Sequence, residues 1–325
     1  MKKTILFITI LVMALSCAKK EDPNLVSIST TIFPLYDFAK QIGKDKVSVR
    51  LIVPAGSDTH AFEPRPSDIM RLAKCKLFLF AGQETEPWAV TLIASVYNRK
   101  MTVIDISKIQ EDGQHSHGSC SHSHHHEHKH PHDDEMSEEH KALHEKGQPH
   151  THSHIWLDFN NNIKVVEEIA RTLAKIDPPN AEFYLNNSKN YTEQLKKLDD
   201  DYKNVSKNFA RKEIIYIGHS SFEAFVERYG LKFISPYKSY SSNVEPSAKA
   251  IAEMIDEIRK SEARIVFHEE LINPRIAKTI AAETGVKLSI LHAAHNITKK
   301  ELKSNITFME IMYQNLANLI EALND

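Results

Sequence analysis

The histidines of this 325-residue chain fall into two sets that suggest different chemistry. Fourteen of the 19 crowd the stretch from His115 to His154, together with Asp133, Asp134, Glu135, Glu138 and Glu139. Imidazoles and carboxylates are ligands for divalent cations, but this stretch has almost no large apolar residues and cannot build a core of its own. Closely spaced ligands on a flexible chain trap metal weakly, because each set must be ordered as it binds. The remaining five are His60, His219, His268, His292 and His295. These scattered positions are the better candidates for a rigid site, provided the fold brings them together.

The elements that would do so are readable as alternating strands and helices. Apolar, β-prone runs occur at Val26–Ile32, Val47–Val53, Leu77–Ala81 and Met101–Ile104, and again at Ile214–Ile217, Lys232–Ile234, Arg264–Phe267 and Lys287–Leu291. Helix-compatible stretches separate them, including Phe222–Tyr229, Ser247–Arg259, Pro274–Thr284 and Thr307–Leu323. That rhythm predicts βα units around parallel sheets. Between the two sets, Tyr184, Tyr191, Leu195, Leu198, Tyr202, Val205 and Phe209 recur at helical spacing, with no Gly or Pro from Ala181 to Phe209. A helix of that length extends about 40 Å, enough to run beside two lobes. The expected fold is α/β: two βα lobes with mainly parallel sheets and separate apolar cores, joined by a long rigid helix. The lobes span 25–180 and 210–325, the linking helix 181–209, and a His-rich loop 114–153 interrupts the first lobe. Within that loop, Glu135–Lys146 reads as a short helix. In open α/β sheets ligands collect at the carboxyl ends of strands, and His60, His219 and His268 each stand at or soon after such an end.

Lys2 and Lys3 precede an apolar run, Ile5 to Leu15, and then Ser16 and Cys17. That run is too short to span the roughly 30 Å of a bilayer core, so residues 1–17 read as a signal peptide. A Cys after a small residue at the end of such a run resembles a lipoprotein signal, with Cys17 as the acylated residue and Leu15 one position nearer to it than usual. The chain is therefore expected to be exported and lipid-anchored, facing a periplasm or the cell exterior. Its formal charge of −2 offers no pull toward nucleic acid. No CxxC pair is present, which excludes a redox motif and a cysteine-based zinc finger; Cys75, in an apolar run, reads as buried.

Four segments carry a family resemblance. Gly56-Ser57-Asp58-Thr59-His60-Ala61-Phe62-Glu63-Pro64 resembles the G-x-D-x-H-x-(F/Y)-E-P motif of cluster A-I solute-binding proteins, the zinc and manganese receptors of bacterial ABC importers. His154-Ile155-Trp156-Leu157-Asp158 is similar to their H-x-W-L-D motif, with Phe159 where a Pro usually follows. His219 with Phe222, Phe225 and Arg228-Tyr229-Gly230-Leu231 resembles the block in which a His ends a strand of the second lobe. Phe267-His268-Glu269-Glu270 resembles their F-x-E segment.

The resemblance implies a receptor that captures zinc between its lobes and passes it to an ABC permease and its ATPase. It implies His60, His154 and His219 as ligands, with one further group. Manganese-selective members usually supply an Asp at the end of the last strand, and often a Glu in the block of His219. Here the last strand runs into Leu291-His292-Ala293-Ala294-His295-Asn296, and imidazole in place of carboxylate favours zinc. We assign His292 to the fourth position, with His295 and Glu269 as rivals; His152 competes with His154. On this reading each lobe presents two ligands, and His268 makes a hydrogen bond rather than a metal bond. Zinc-specific members often carry a His- and acid-rich loop ahead of the second ligand, as this chain does. Alternatives within reach of the same motifs are a manganese or iron receptor and a surface adhesin-type lipoprotein. An enzyme is not expected: His268-Glu269-Glu270 begins like the zinc-hydrolase motif H-E-x-x-H, but its fifth position is Ile272.

Overall fold

The computed structural model describes residues 24–96, 98, 100–111, 154–219, 221–237, 246–271 and 274–324. The signal peptide with Cys17, the loop 114–153 with its short helix and His152, and Cys120 lie outside the described residues. The first half carries β1 (Val26–Thr30), α1 (Phe33–Gly43), β2 (Val47–Leu51), α2 (Pro66–Leu72), β3 (Leu77–Phe80), α3 (Pro87–Ser95), β4 (Thr102–Asp105) and α4 (Ser107–Glu111). Two helices follow, α5 (Phe159–Ile176) and α6 (Ala181–Lys207). The second half has β5 (Glu213–Ile217), α7 (Glu223–Arg228), β6 (Lys232–Ile234), α8 (Ala248–Ser261), β7 (Ile265–His268), α9 (Arg275–Thr284), β8 (Lys287–Ile290), α10 (Lys299–Ser304) and α11 (Phe308–Asn324). No described helix is long and apolar enough to cross a membrane.

Each half forms a four-stranded, all-parallel sheet, ordered β2-β1-β3-β4 and β6-β5-β7-β8. In both, the first strand of the half is followed on one side by its second and on the other by its third. The chain reverses its direction of travel there, which opens a crevice at the carboxyl ends of β1 and β3 and of β5 and β7. Every strand read from the sequence is present to within two residues.

The core departs from the expectation of two separate ones. Alternate residues of a strand face opposite sides, and here the two sides have different fates. Leu77 and Leu79 of β3, Ile214 and Tyr216 of β5, and Ile265 and Phe267 of β7 join one continuous apolar cluster that also takes in Trp156, Tyr191, Leu198, Tyr202, Leu291 and Phe308. Their neighbours Phe78 and Phe80 belong to a small outer cluster of the first half. Ile215, Ile217 and Val266 belong to a similar one in the second. The inner faces share a core because α5, α6 and α11 contribute to both. Cys75 is buried, its Sγ–H donating to the Leu77 carbonyl at 2.8 Å.

Helix α6, 27 residues long, is bonded to both halves along its length. Asn187 Nδ2 donates to Ile42 O at 2.9 Å, and Tyr191 Oη to Asp37 Oδ2 at 3.2 Å. Near its other end Tyr202 Oη donates to Met312 O at 2.5 Å. Asp199 accepts two guanidinium bonds from Arg228, at 2.8 and 2.6 Å, and the Tyr229 hydroxyl at 2.8 Å. Arg228 also stands 3.5 Å from Asp158, the residue that caps α5. One guanidinium thus ties the connector, the second half and the start of α5 together. The Asp199 carboxyl is costly to bury, but the Arg228 and Lys203 contacts outweigh burial and hold its pKa below the usual value.

Arg228→Met should therefore destabilise the protein by about 3 kcal/mol, since it leaves a mostly buried carboxylate with one cation fewer. Urea unfolding of the two proteins measures this. A group whose pKa is depressed in the folded state stabilises above its unfolded value of about 3.9, so the difference should shrink as pH falls below about 4.

Candidate metal centre

Four imidazoles converge where the carboxyl ends of the two sheets face each other. One ring nitrogen each of His60, His154, His219 and His295 lies within 4.8 Å of the others. All six pairs of ring centroids are 4.3 to 5.7 Å apart. The four rings therefore surround a common point instead of lining a wall.

Each ring is aimed by contacts from its own segment. His60 sits in the loop after β2, where Gly56 takes φ +86° to turn the chain. Asp58 Oδ1 accepts the His60 N–H at 2.8 Å, and Trp88 Nε1 pins the loop through Thr59 O at 2.9 Å. The His60 Nδ1–H points to Thr85 O at 3.4 Å, leaving Nε2 turned inward. His154 precedes a single 3-10 turn, Ile155–Leu157, that leads into α5. The Asp158 side chain caps α5 by accepting the Asn160 N–H at 2.9 Å. Phe159 occupies the first helical position, where Pro is favoured; its ring is instead wholly buried, packing on Tyr202 and Phe308. His219 follows β5, and its Nδ1–H donates to Glu269 Oε2 at 2.7 Å.

His295, rather than His292, completes the group. It belongs by sequence to the second half, following β8, but its segment is bonded into the first. Phe33 N–H donates to His295 O at 2.9 Å, and Gly56 N–H to Ile297 O at 2.8 Å. The Asn296 side chain donates to Pro54 O and Ser57 O, and Trp156 Nε1 to Ala293 O at 2.8 Å. The cluster draws two rings from each half of the chain, His60 and His154 from the first and His219 and His295 from the second. The His295 segment is bonded to both halves, since Leu291, His292 and Ala293 also bond to His268, Asn315 and Glu270 of the second.

The other candidates have other partners. His292 Nδ1 accepts the Ala294 N–H at 2.9 Å; its Nε2, buried with no hydrogen bond among the described residues, lies 3.8 Å from Glu301 and outside the four-ring group. Glu269 does not join the group; it serves His219 as a carboxylate partner. His268 Nδ1 is engaged with the Glu269 carbonyl at 2.8 Å. Sequence reading had no signal for Thr85, Trp156 as a donor, or Asn296 as supporting residues, because each acts on a segment remote in the chain.

Electrostatics separates the four rings. Burial pushes the pKa values of His154 and His295 well down, and repulsion from neighbouring imidazoles adds to it. His60 is lowered for the same reasons. Burial would lower His219 too, but the Glu269 carboxylate outweighs it and raises the imidazole. Three rings are thus held in the neutral form that a metal requires, while His219 alone favours its proton. The Nε2 atoms of His60, His219 and His295 are buried and make no hydrogen bond among the described residues. A cavity of about 250 Å³, lined by Asp58, Glu269 and Glu270 as well as His60, His219 and His295, leads to the cluster, so a cation approaches past acidic groups.

Glu269→Gln should lower the His219 pKa, since burial is then opposed only by the weaker pull of Glu270 and Asp58. Zinc affinity should fall about 10- to 100-fold, the range for loss of a ligand's carboxylate partner. Imidazole proton NMR over pH 5 to 8 checks the first, and competition titration the second.

A family model described as the periplasmic zinc-uptake complex component A, ZnuA, matches residues 28–322. The high-affinity zinc uptake system protein ZnuA of Bacillus subtilis strain 168 is 30% identical over 299 residues, covering 91% of this chain and 87% of that one. The zinc-binding protein AdcA of Streptococcus pyogenes serotype M3 is 30% identical over 302 residues, 90% of this chain but 55% of AdcA, so the chain spans about half that relative's length. The crystal structure of the metal-dependent lipoprotein YcdH from B. subtilis superposes with a TM-score of 0.71 at 27% identity, covering 92% of this chain and all of that one.

Proposed function

We propose that this chain, which belongs to the ZnuA family of zinc-uptake complex components, is a zinc receptor that holds one ion on His60, His154, His219 and His295. The convergence of four imidazole nitrogens within 4.8 Å of one another carries this reading. Four neutral nitrogen donors suit the tetrahedral preference of zinc. Manganese and magnesium favour oxygen ligands, and no carboxylate is in the group. The zinc names of the relatives support the same choice of metal.

The rest of the reading builds on that site. The ion is cargo, captured from outside the cell membrane and delivered to an ABC permease with its ATPase. Residues 25–180 and 210–325 act as the two lobes, with 181–209 as the stiff link between them. Because α6 is bonded to both halves and the inner core is shared, opening is a small displacement rather than a wide hinge. Cys17 carries a lipid anchor after removal of the signal peptide. The loop 114–153 collects zinc weakly near the entrance without supplying the tight site.

Calorimetric titration of the mature chain tests this. Zinc should fill one tight site plus weaker ones, and manganese should fail to fill the tight one. Deleting residues 114–148 should remove the weak sites alone. His60→Ala should weaken the tight site by more than the roughly 100-fold limit for losing an outer partner. If the tight site disappeared with the loop, the four-imidazole assignment would be wrong. Affinity should also fall as the solution is acidified, and because the His219 pKa is raised, the decline should begin at or above pH 6.5 and steepen below it. Binding that stayed constant from pH 5 to 8 would contradict an all-imidazole site.

A further inference from the structure

We propose that His292 is a positioning residue for His295: it holds the turn that aims His295 into the cluster and does not itself bind the metal. This rests on the reading of His295 as a ligand. Between His292 and His295 the chain makes one reversal, at Ala294, which takes φ +58°. A residue with a Cβ rarely adopts this left-handed conformation unless its surroundings fix it.

The two ends of the turn are fixed by other parts of the molecule. The Asn315 side chain accepts the His292 N–H and donates to His292 O, both at 2.8 Å. Ala293 N–H donates to Glu270 Oε2 at 3.1 Å, and Ala293 O accepts from Trp156. His295 O accepts from Phe33. The amide of Ala294 itself is taken by His292 Nδ1 at 2.9 Å.

A side-chain acceptor bonded to the N–H two residues on is the arrangement by which Asn and Asp form local turns, with Nδ1 standing where an Asn oxygen would. With Nδ1 accepting, the ring proton sits on Nε2, on the side of Glu301. Glu270 Oε1, 3.2 Å from Nδ1, is the other charged group against the ring. His292 is buried, 7% exposed, and Nδ1 is the nitrogen that supports the turn.

The test uses the mature full chain with one equivalent of zinc, comparing His292→Asn with His292→Leu. Asn keeps an acceptor for the Ala294 N–H but has no imidazole; Leu keeps bulk without an acceptor. Competition titration should give H292N near wild type and H292L weaker by about 10- to 100-fold. X-ray absorption should count four imidazoles on zinc in H292N and fewer in H292L. Adding Ala294→Gly to H292L should restore affinity, because glycine holds φ +58° without help; no recovery would overturn the turn as the route. Equal losses in H292N and H292L, each with one imidazole fewer, would make His292 a ligand and overturn the proposal, as would an H292L indistinguishable from wild type. Should H292L not fold, H292N decides: four imidazoles uphold the proposal and three overturn it. If wild type and His295→Ala show the same imidazole count, the ligand reading of His295 falls, a result separate from the contrast between H292N and H292L.

Discussion

Four imidazoles turned toward one buried point crowd like groups together, and this shared frustration is the constraint around which the rest of the structure is arranged. Left to themselves the rings would rotate outward or take up protons. Burial opposes protonation by penalising charge, and outward hydrogen bonds oppose rotation: Thr85 O holds His60, and Glu269 holds His219. A cation at the common point would relieve the frustration in a single step.

Holding the rings in place requires more than their own loops. The inner faces of both sheets, α5, α6 and α11 pack as one apolar body, and the bonds of α6 to Asp37, Ile42, Met312 and Arg228 distribute the load along its length. A shared core resists hinge opening, because separating the halves would expose apolar surface on both.

The docking of the two halves depends on a short segment of crossed allegiance. Leu291 to Ile297 continues the second sheet, yet its carbonyls and side chains bond to Phe33, Gly56, Pro54, Ser57 and Trp156 of the first half. The link stitches the halves together at the metal centre itself, so the geometry of the site and the docking of the halves are one problem. Arg228, reaching from α7 to Asp199 and Asp158, braces the same region from the other side.

The amino-acid sequence by itself determined the βα rhythm, the placement of His60 and His219 at strand ends, the connector helix, and imidazole as the dominant candidate donor. Those features are local: periodicity, chain punctuation and residue type carry them without reference to distant contacts. The core was less readable, because the strand pattern says that both faces are apolar but not that the inner faces of two sheets meet. Only the tertiary structure shows which of His292 and His295 stands beside the other three rings. The two stand three residues apart in an irregular segment, where spacing does not dictate direction as it does in a helix or strand. Their directions follow from the reversal at Ala294, and that reversal is fixed by Trp156 and Phe33, residues more than a hundred positions away in the chain.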